Sequence, residues 1–552
     1  MAPLRKSTDA VHWFMSELGA RVVAESGIPT DRQHLGKLML RSFKDAPDFV
    51  MQIDATTDES ETNDSALRRT VQCAVALKKL GLKKGDNIVL MAPNHIHLTI
   101  PYYAAFYLGI GVAPLDAFLT VGKSELTPML KMMEPKMIFC QNERSPSIKL
   151  ALKNAQLEAT VVTFDESDDC MKFSNFVEKY GQGANIDTFR ATDFDPAETV
   201  AMHVATSGTT GLPKAASLTH QNLMLSLPYV WLRGTQFPTP TRLALVSSPL
   251  QWLSAGFHFL FSPILRYTRI HSSAGITSET FVEIVNKYKP SFTTVSPPLL
   301  TMLTKPENVS KCDISCFEII LIGGSAVSKE LLDSVRKISP NTFMLGLYGM
   351  SEVGGLALFD ENPVPGSLGR PIGLFDYRLV HSETKEDITE PHVNGELWLR
   401  GPSICKGYYN QPEVTKESFE EGGWFRTGDI FYRDENYFFF FVERLKLLLK
   451  YRNHQISPLE LETVIREHPG VLDVAVTGLV DEEAGDLPVA CVVPRAEHEV
   501  TAQQIKDLVK NALTETKQLR GGVIFMKEFP MTASTKVHRR LLKEMVPNMT
   551  RE

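Results

Sequence analysis

Short apolar runs recur along the first part of the chain, and most of them stop at Gly, Ser or Pro. "DNIVLMAP" (86–93), "PKMIFC", "TVVTF", "TVAMHVA", "RLALVSSP", "FTTVSP" and "EIILIGG" share this form and predict strands. "HLTIPYYAAFYLGIG" is apolar on every side and predicts a buried helix. Strands that stop at small residues before helical patterns predict βα units and parallel sheets. In such sheets ligands collect where the carboxyl ends of strands turn into loops. Three Gly/Ser-bearing stretches follow such strands: "TSGTTGLPK" (206–214), "IGGSAV" (322–327) and "LYGMSE" (347–352). Together they predict one shared pocket rather than three separate linkers.

Beyond residue 365 the texture changes. "GELWLRGPSICKGYY" and "YFFFFVERL" predict a β-rich section, "ISPLELETVIREHPGVLDVAVTGLVD" a helix then a strand, and "AQQIKDLVKNALTE" an amphipathic packing helix. The expected fold class is α/β. A large N-terminal domain (1–443) carries βα units, mixed or parallel sheets and the β-rich section, and a small α+β domain (444–552) follows. The basic, polar link "VERLKLLLKYRN" suits a hinge, or else a surface strand of one continuous domain.

Length and charge add exclusions. The 552 residues exceed one compact core, and 58 Lys+Arg against 65 Asp+Glu give −7, which argues against nucleic acid as main partner. The seven scattered cysteines include no Cys-x-x-Cys pair, so buried apolar thiols in a reducing compartment are expected. No run approaches the ~18 apolar residues of a membrane span. The N-terminus lacks an apolar signal core, and "TRE" is not a Ser-Lys-Leu type address, so a cytoplasmic location is expected.

The stretch 206–214 has the makings of an anion cradle, because glycines let backbone N–H groups approach phosphate while hydroxyls and Lys214 add donors. It is not a Walker A loop, since Pro213 precedes Lys214 and Ala215 follows it, and the chain has no G-x-G-x-x-G. A surface linker is the plain alternative. Four further motifs accompany it: "LYGMSE"; "GWFRTGDI" (423–430) with Asp429; "ERLKLLLKYRNHQISPLELE" (443–462) with Arg444, Lys450 and Gln455; and "PMTASTKVHRRLLK" (530–543) with Lys536. In order and spacing they resemble the acyl-adenylate-forming (AMP-binding) superfamily, in its acyl-CoA ligase, 4-coumarate-CoA ligase and beetle-luciferase branch.

That resemblance implies a reaction in which a carboxylate and ATP give an acyl-adenylate and pyrophosphate, after which CoA displaces AMP. It implies ATP, Mg2+ and CoA as cofactors and a small carboxylic acid as substrate. Thr206, Ser207, Gly208, Thr209, Thr210, Gly211 and Lys214 would clamp the β- and γ-phosphates. Glu352 would position Mg2+, Ser351 would donate to the α-phosphate, and Asp429 with Arg444 would hold the ribose. Tyr348 would stack on adenine, with Gly324, Ser325 and Gly349 lining the base. Lys536 would reach the α-phosphate during adenylation, and Lys450 would face the site during thioester formation, the mobile C-terminal domain rotating about Lys446. Each residue also has a plainer reading: Asp429 a strand-ending turn, Glu352 a helix-start charge, Tyr348 a core aromatic and Lys536 a solvated lysine. His220 is expected to be a satisfied structural histidine, because a carboxylate needs no general base.

Three departures from the family pattern stand out. Trp252 in "PLQWLSAGFHF" occupies the place of a histidine, as gate or as plain pocket wall. Asn453 replaces a glycine three residues after Lys450, and Thr535 a glycine before Lys536; both bear on the CoA step more than on ATP binding. The acyl pocket is expected around Trp252, Gly256, Gly323 and Gly355. Its apolar, small lining favours a medium- or long-chain fatty acid or an arylalkenoic acid. The rivals are a luciferase-like oxygenation and a degenerate paralogue that binds nucleotide or acyl ligand without turnover.

Overall fold

The computed structural model describes residues 10–119, 121, 126–206, 214–230, 243–324, 329–360, 364–451, 454–481, 484–496, 498–531 and 536–552. Packing divides the chain into two compact units. The first comprises Met1–Asp376 and Arg400–Phe425, the second Tyr377–Leu399 and Arg426–Glu552.

The first unit holds two seven-stranded sheets. One runs in the order Met171–Lys172, Thr160–Thr163, Met137–Cys140, Asn87–Met91, Gly111–Pro114, Val200–Thr206, Lys214–Thr219. All its neighbours are parallel except the last pair. The other runs Phe343–Gly346, Ile319–Ile322, Phe292–Val295, Leu243–Val246, Thr268–His271, Val50–Asp54, Ser60–Thr62, again parallel until an antiparallel edge. The strands Asn87–Met91 and Ile319–Ile322 are buried at every position, as continuous apolar runs in covered parallel sheets should be. Helix Thr99–Leu108 is buried at all ten positions, which accounts for its lack of a polar face.

One correction concerns the glycine-rich stretch. The strand before it lies parallel to Gly111–Pro114, so the stretch does leave the carboxyl end of the sheet. It leads, however, to an antiparallel strand rather than to a helix: Thr206 pairs with Lys214, and the ladder continues to Val200 opposite Thr219. "LYGMSE" likewise opens a hairpin, Tyr348–Met350 against Gly355–Phe359.

Arg269 is fully buried on Thr268–His271. A bare buried guanidinium would be costly, and here its two terminal nitrogens are partnered while Nε makes no hydrogen bond: Nη1 donates to Tyr103 and Ser262, Nη2 to Gln52 Oε1 at 2.6 Å, and the centre of the Phe259 ring lies 4.2 Å from its carbon. Gln52 passes the polarity on to Glu61, which pairs with Arg69. The thiols match expectation only in part, for Cys170 and Cys316 are half-buried while the other five are buried.

The second unit contains an antiparallel ribbon and an α+β layer. In the ribbon, Trp424–Arg433 pairs with Phe439–Arg444 and sits beside Gly395–Arg400. The layer is a five-stranded sheet built on the long hairpin Val471–Asp481/Gly485–Pro494, with Gly522–Phe525 added in parallel, and helices Pro458–Arg466 and Ala502–Ala512. Over 443–451 the expected link is the end of a strand, a short turn Leu445–Leu447 and the strand Leu449–Tyr451. The packing division runs along the ribbon. The boundary after Glu443 concerns which segment moves, and is taken up as a proposal below.

Candidate active site

In the first unit a segment from far along the chain is zipped onto Lys214–Thr219. Lys406 N donates to Ser217 O (3.1 Å), Ser217 N to Gly407 O (2.9 Å) and Tyr409 N to Ala215 O (2.8 Å). Cys405 N donates to Glu352 O at 2.7 Å, which brings the "LYGMSE" turn to the same place. Gly407 has φ +124°, and a Cβ there would meet Thr415 Cγ2 at 2.4 Å, so only glycine lets this segment lie so close.

The result is a cluster of three side chains from three motifs. Tyr408 donates its hydroxyl to Glu352 Oε1 at 2.7 Å, and Lys214 Nζ lies 5.2 Å from the centre of the Tyr408 ring. Glu352 is 6 % exposed, so its charge depends on such partners. Burial first, and the Glu352 charge second, push the Tyr408 hydroxyl far above the ordinary tyrosine range, so it remains a donor. Replacing Tyr408 by Phe is expected to cost about 1–3 kcal/mol, the penalty of a buried carboxylate that loses a donor. In urea unfolding the loss should shrink when Glu352→Gln is already present, since the two residues are coupled. Tyr408 was absent from the sequence reading. Its only trace was a Gly-aromatic pair inside a segment read as β-rich.

The remaining candidates of this unit fall around the two hairpins. Tyr348 is buried, Ser351 opens the short turn Ser351–Val353, and Gly354 closes it at φ +67°. Gly349 is compulsory, because a Cβ would lie 2.0 Å from Gly355 O. Gly324 follows Ile319–Ile322 at φ +94°, while Gly323 has open space, with nothing nearer than Leu347 Cβ at 4.0 Å. Trp252 is the half-buried residue before helix Leu253–Leu265, its N–H bonded to Pro249 O. Gly256 faces Met202 of Val200–Thr206, and the Phe257 ring presses on Gly355, where a Cβ would be 2.2 Å from Cζ. Two of the places expected to line an acyl pocket, the stretch after Trp252 that holds Gly256 and the turn at Gly355, therefore meet through Phe257.

His220 departs from expectation. It is fully buried, neither ring nitrogen has a hydrogen-bond partner, and the rings of Phe194, His34 and Phe106 surround it. Burial first, and the neighbouring His34 second, hold its pKa well below the ordinary value, so it is a neutral packing group rather than a satisfied one.

Asp429, Arg444, Lys446, Lys450 and Lys536 belong to the second unit. Asp429 and Arg444 face each other across the ribbon, with Nε 3.3 Å from Oδ1; the carboxylate is buried and the guanidinium half-exposed. The turn before Asp429 is pinned: Thr427 donates to Leu397 O, Gly428 N to buried Glu396, and Asp429 N to Thr427 Oγ1. Lys446 is exposed in the turn Leu445–Leu447. Lys450 is also exposed, 3.5 Å from equally exposed Glu383, a pairing worth little in water. Lys536 lies on the surface, yet protein packed round its ammonium, and secondly the Arg444 charge, lower its pKa below the ordinary lysine value. Ser207, Gly208, Thr209, Thr210, Gly211, Ser325, Asn453 and Thr535 lie outside the described residues.

Among the described residues no group of three or more His, Cys, Asp or Glu side chains could hold a metal, and none of their helices is long and apolar enough to cross a membrane. The family model for "AMP-binding enzyme" matches residues 40–409, and that for "AMP-binding enzyme C-terminal domain" matches 460–536. The chain is 30% identical to a luciferin 4-monooxygenase of Photuris pensylvanica over 92% of its own length and 93% of that protein's. It is also 30% identical to a 4-coumarate–CoA ligase of Vanilla planifolia, over 89% of each. A solved structure of ATP-bound MatB from Rhodopseudomonas palustris superposes with a TM-score of 0.81, covering 92% of this chain and 98% of that one at 22% identity.

Proposed function

The chain belongs to the AMP-binding enzyme family of the adenylate-forming superfamily, and from that membership we propose that it is an ATP-dependent carboxylic acid:CoA ligase. A carboxylate oxygen attacks the α-phosphorus, the bond to pyrophosphate breaks, and the CoA thiol then takes the acyl group as AMP leaves. The observation that carries this reading is the Lys214–Tyr408–Glu352 cluster at the end of the glycine-rich hairpin. It gathers a cation and a carboxylate about one tyrosine at the carboxyl edge of a parallel sheet, where anions and metal-bound phosphates are received.

The chemistry joins two anions, so positioning and electrostatics dominate the barrier. In this reading Thr206, the 207–211 loop and Lys214 hold the β- and γ-phosphates, and Ser351 donates to the α-phosphate. Tyr348 stacks on adenine beside Gly324, Ser325 and Gly349, while Asp429 with Arg444 binds the ribose hydroxyls. Among the described residues no three or more His, Cys, Asp or Glu side chains gather into a metal site, and Mg2+, which takes one or two carboxylates beside phosphate oxygens, asks for no such cluster. Glu352 is the residue that would hold it, and bound there it would neutralise phosphate charge. Residues 444–552 rotate about Lys446 between half-reactions, Lys536 serving the first and Lys450 the second.

The substrate in this reading is a medium- or long-chain fatty acid or an arylalkenoic acid, supported by the apolar contact of Phe257 with Gly355, and the enzyme works in the cytoplasm. A panel of acids with ATP, Mg2+ and CoA, read by pyrophosphate release with and without CoA, tests it. Acid-dependent release together with acyl-CoA is the expected result, and neither AMP nor acyl-CoA across the panel would sink the proposal. The resemblance to a luciferin monooxygenase supports a second reading, luciferase-like oxygenation of the adenylate. Light from luciferin, ATP and O2 would favour it, and a dark reaction disposes of it. A degenerate binder is eliminated by any acid-driven ATP–pyrophosphate exchange.

A further inference from the structure

Lys536 is followed at once by three anchored residues. Val537 forms an antiparallel bridge with Met531. His538 donates its N–H to Pro530 O at 2.7 Å, and its Nδ1 accepts from Leu541 N, capping helix Arg539–Met545. Arg539 then reaches inward and grips Glu462 with both arms, Nη1 to Oε1 at 2.8 Å and Nη2 to Oε2 at 3.0 Å. Glu462 is 1 % exposed on helix Pro458–Arg466, and it also accepts from Val476 N at 2.8 Å, while Arg539 Nη1 donates to Val476 O. Burial opposes the Arg539 charge, and the carboxylates around it, Glu462 first and then Glu443 and Asp473, together more than offset it.

A fork-to-fork ion pair fixes orientation as well as distance, which a single ammonium does not. Packed apolar side chains often stabilise an interior as well as or better than a buried ion pair, so stability alone does not account for one here. The place where it is spent is three residues from Lys536. We infer that the Arg539–Glu462 pair is a positioning element, holding the segment Lys536 to Arg539 against helix Pro458–Arg466 so that the ammonium is set for the adenylation step. The inference rests on the adenylation role proposed for Lys536, and it assigns Arg539 and Glu462 no contact with substrate.

Arg539→Lys keeps the charge and removes the fork. Two measurements follow on the full chain. In competitive acetylation read by mass spectrometry, the Lys536 amine should titrate closer to the ordinary lysine value in R539K than in wild type, because the ammonium leaves its packed surroundings; an unchanged midpoint overturns the inference. In ATP–pyrophosphate exchange, driven by dodecanoate and by 4-coumarate, R539K should fall about 10- to 100-fold, since a misplacement of about 1 Å costs rates of this order. Thioester formation from synthetic acyl-adenylate and CoA should stay within about twofold by the same principle, as it uses no Lys536 contact. Equal loss in both half-reactions means a structural role only and overturns the inference. Lys536→Ala is run alongside. Lost exchange in K536A beside normal exchange in R539K removes the inference alone, whereas retained exchange in K536A removes the adenylation role and the inference with it.

Discussion

Replacing Lys536 by alanine is expected to lower acid-driven ATP–pyrophosphate exchange by about 100- to 1,000-fold, the usual cost of losing one charge-stabilising donor in a transition state, while ATP binding should change little. The argument is electrostatic. When a carboxylate closes on the α-phosphate, negative charge gathers on the phosphate oxygens, and an ammonium aimed there is worth more in the transition state than in the ground state. The pH dependence supplies an independent check. Packing round the ammonium and the charge of Arg444 depress the Lys536 pKa. The charged form therefore persists below that lowered pKa and is lost as pH rises through it. Exchange should accordingly fall on the alkaline side at a pH below the ~10.4 of an ordinary lysine. Lys536→Arg, which stays charged throughout, should abolish that alkaline limb while running at a reduced rate because its planar head sits differently. An alkaline limb that survives in the arginine variant, or full exchange in K536A, counts against the assignment.

The second large effect is expected from Gly355→Ala. Gly355 has φ +134°, and the added methyl would lie 2.2 Å from the Phe257 ring. The backbone strain costs about 1–3 kcal/mol and the overpacking a further 1–3 kcal/mol. A total of about 2–6 kcal/mol is a large fraction of the stability of an ordinary domain, about 5–15 kcal/mol, so urea unfolding should show a sharply lowered midpoint. Phe257→Ala in the same chain should recover the overpacking part and leave the dihedral part. Full recovery would mean the backbone bends freely at this turn, and no loss in G355A would mean the ring is not where the structure has it. Because Gly355 meets Phe257 where the acyl pocket is proposed, the variant should also weaken exchange with bulky acids before it weakens ATP binding.

Much of the fold was legible because its signals are local. Buried parallel strands read as apolar runs, so "DNIVLMAP", "PKMIFC", "TVVTF", "FTTVSP" and "EIILIGG" each contain an observed strand. What escaped was long-range register. Nothing near residue 206 says that the next strand returns antiparallel, and nothing near Glu352 announces Tyr408, 56 residues on, as its hydrogen-bond partner. The contact of Phe257 with Gly355 and the grip of Arg539 on Glu462 are hidden for the same reason: each is made by residues whose own surroundings look ordinary. Glycines told more than polar residues did. Gly349, Gly355 and Gly407 each mark a place where backbone, a ring or a threonine side chain comes too close for a Cβ, although the sequence does not say what comes close.

The Gln52–Arg269 hydrogen bond has a bearing on how the protein is made. Its two residues are 217 positions apart, and the strand Val50–Asp54 finds its parallel neighbour only at Thr268–His271. A ribosome adding roughly 5–20 residues per second leaves about 10–40 s between the two. Throughout that interval the early strand has one edge without its native mate and an apolar face awaiting cover. Newly made chains should therefore lean on holding chaperones most while the segment between residues 54 and 268 is still emerging, and slower translation there should lengthen the exposure rather than relieve it.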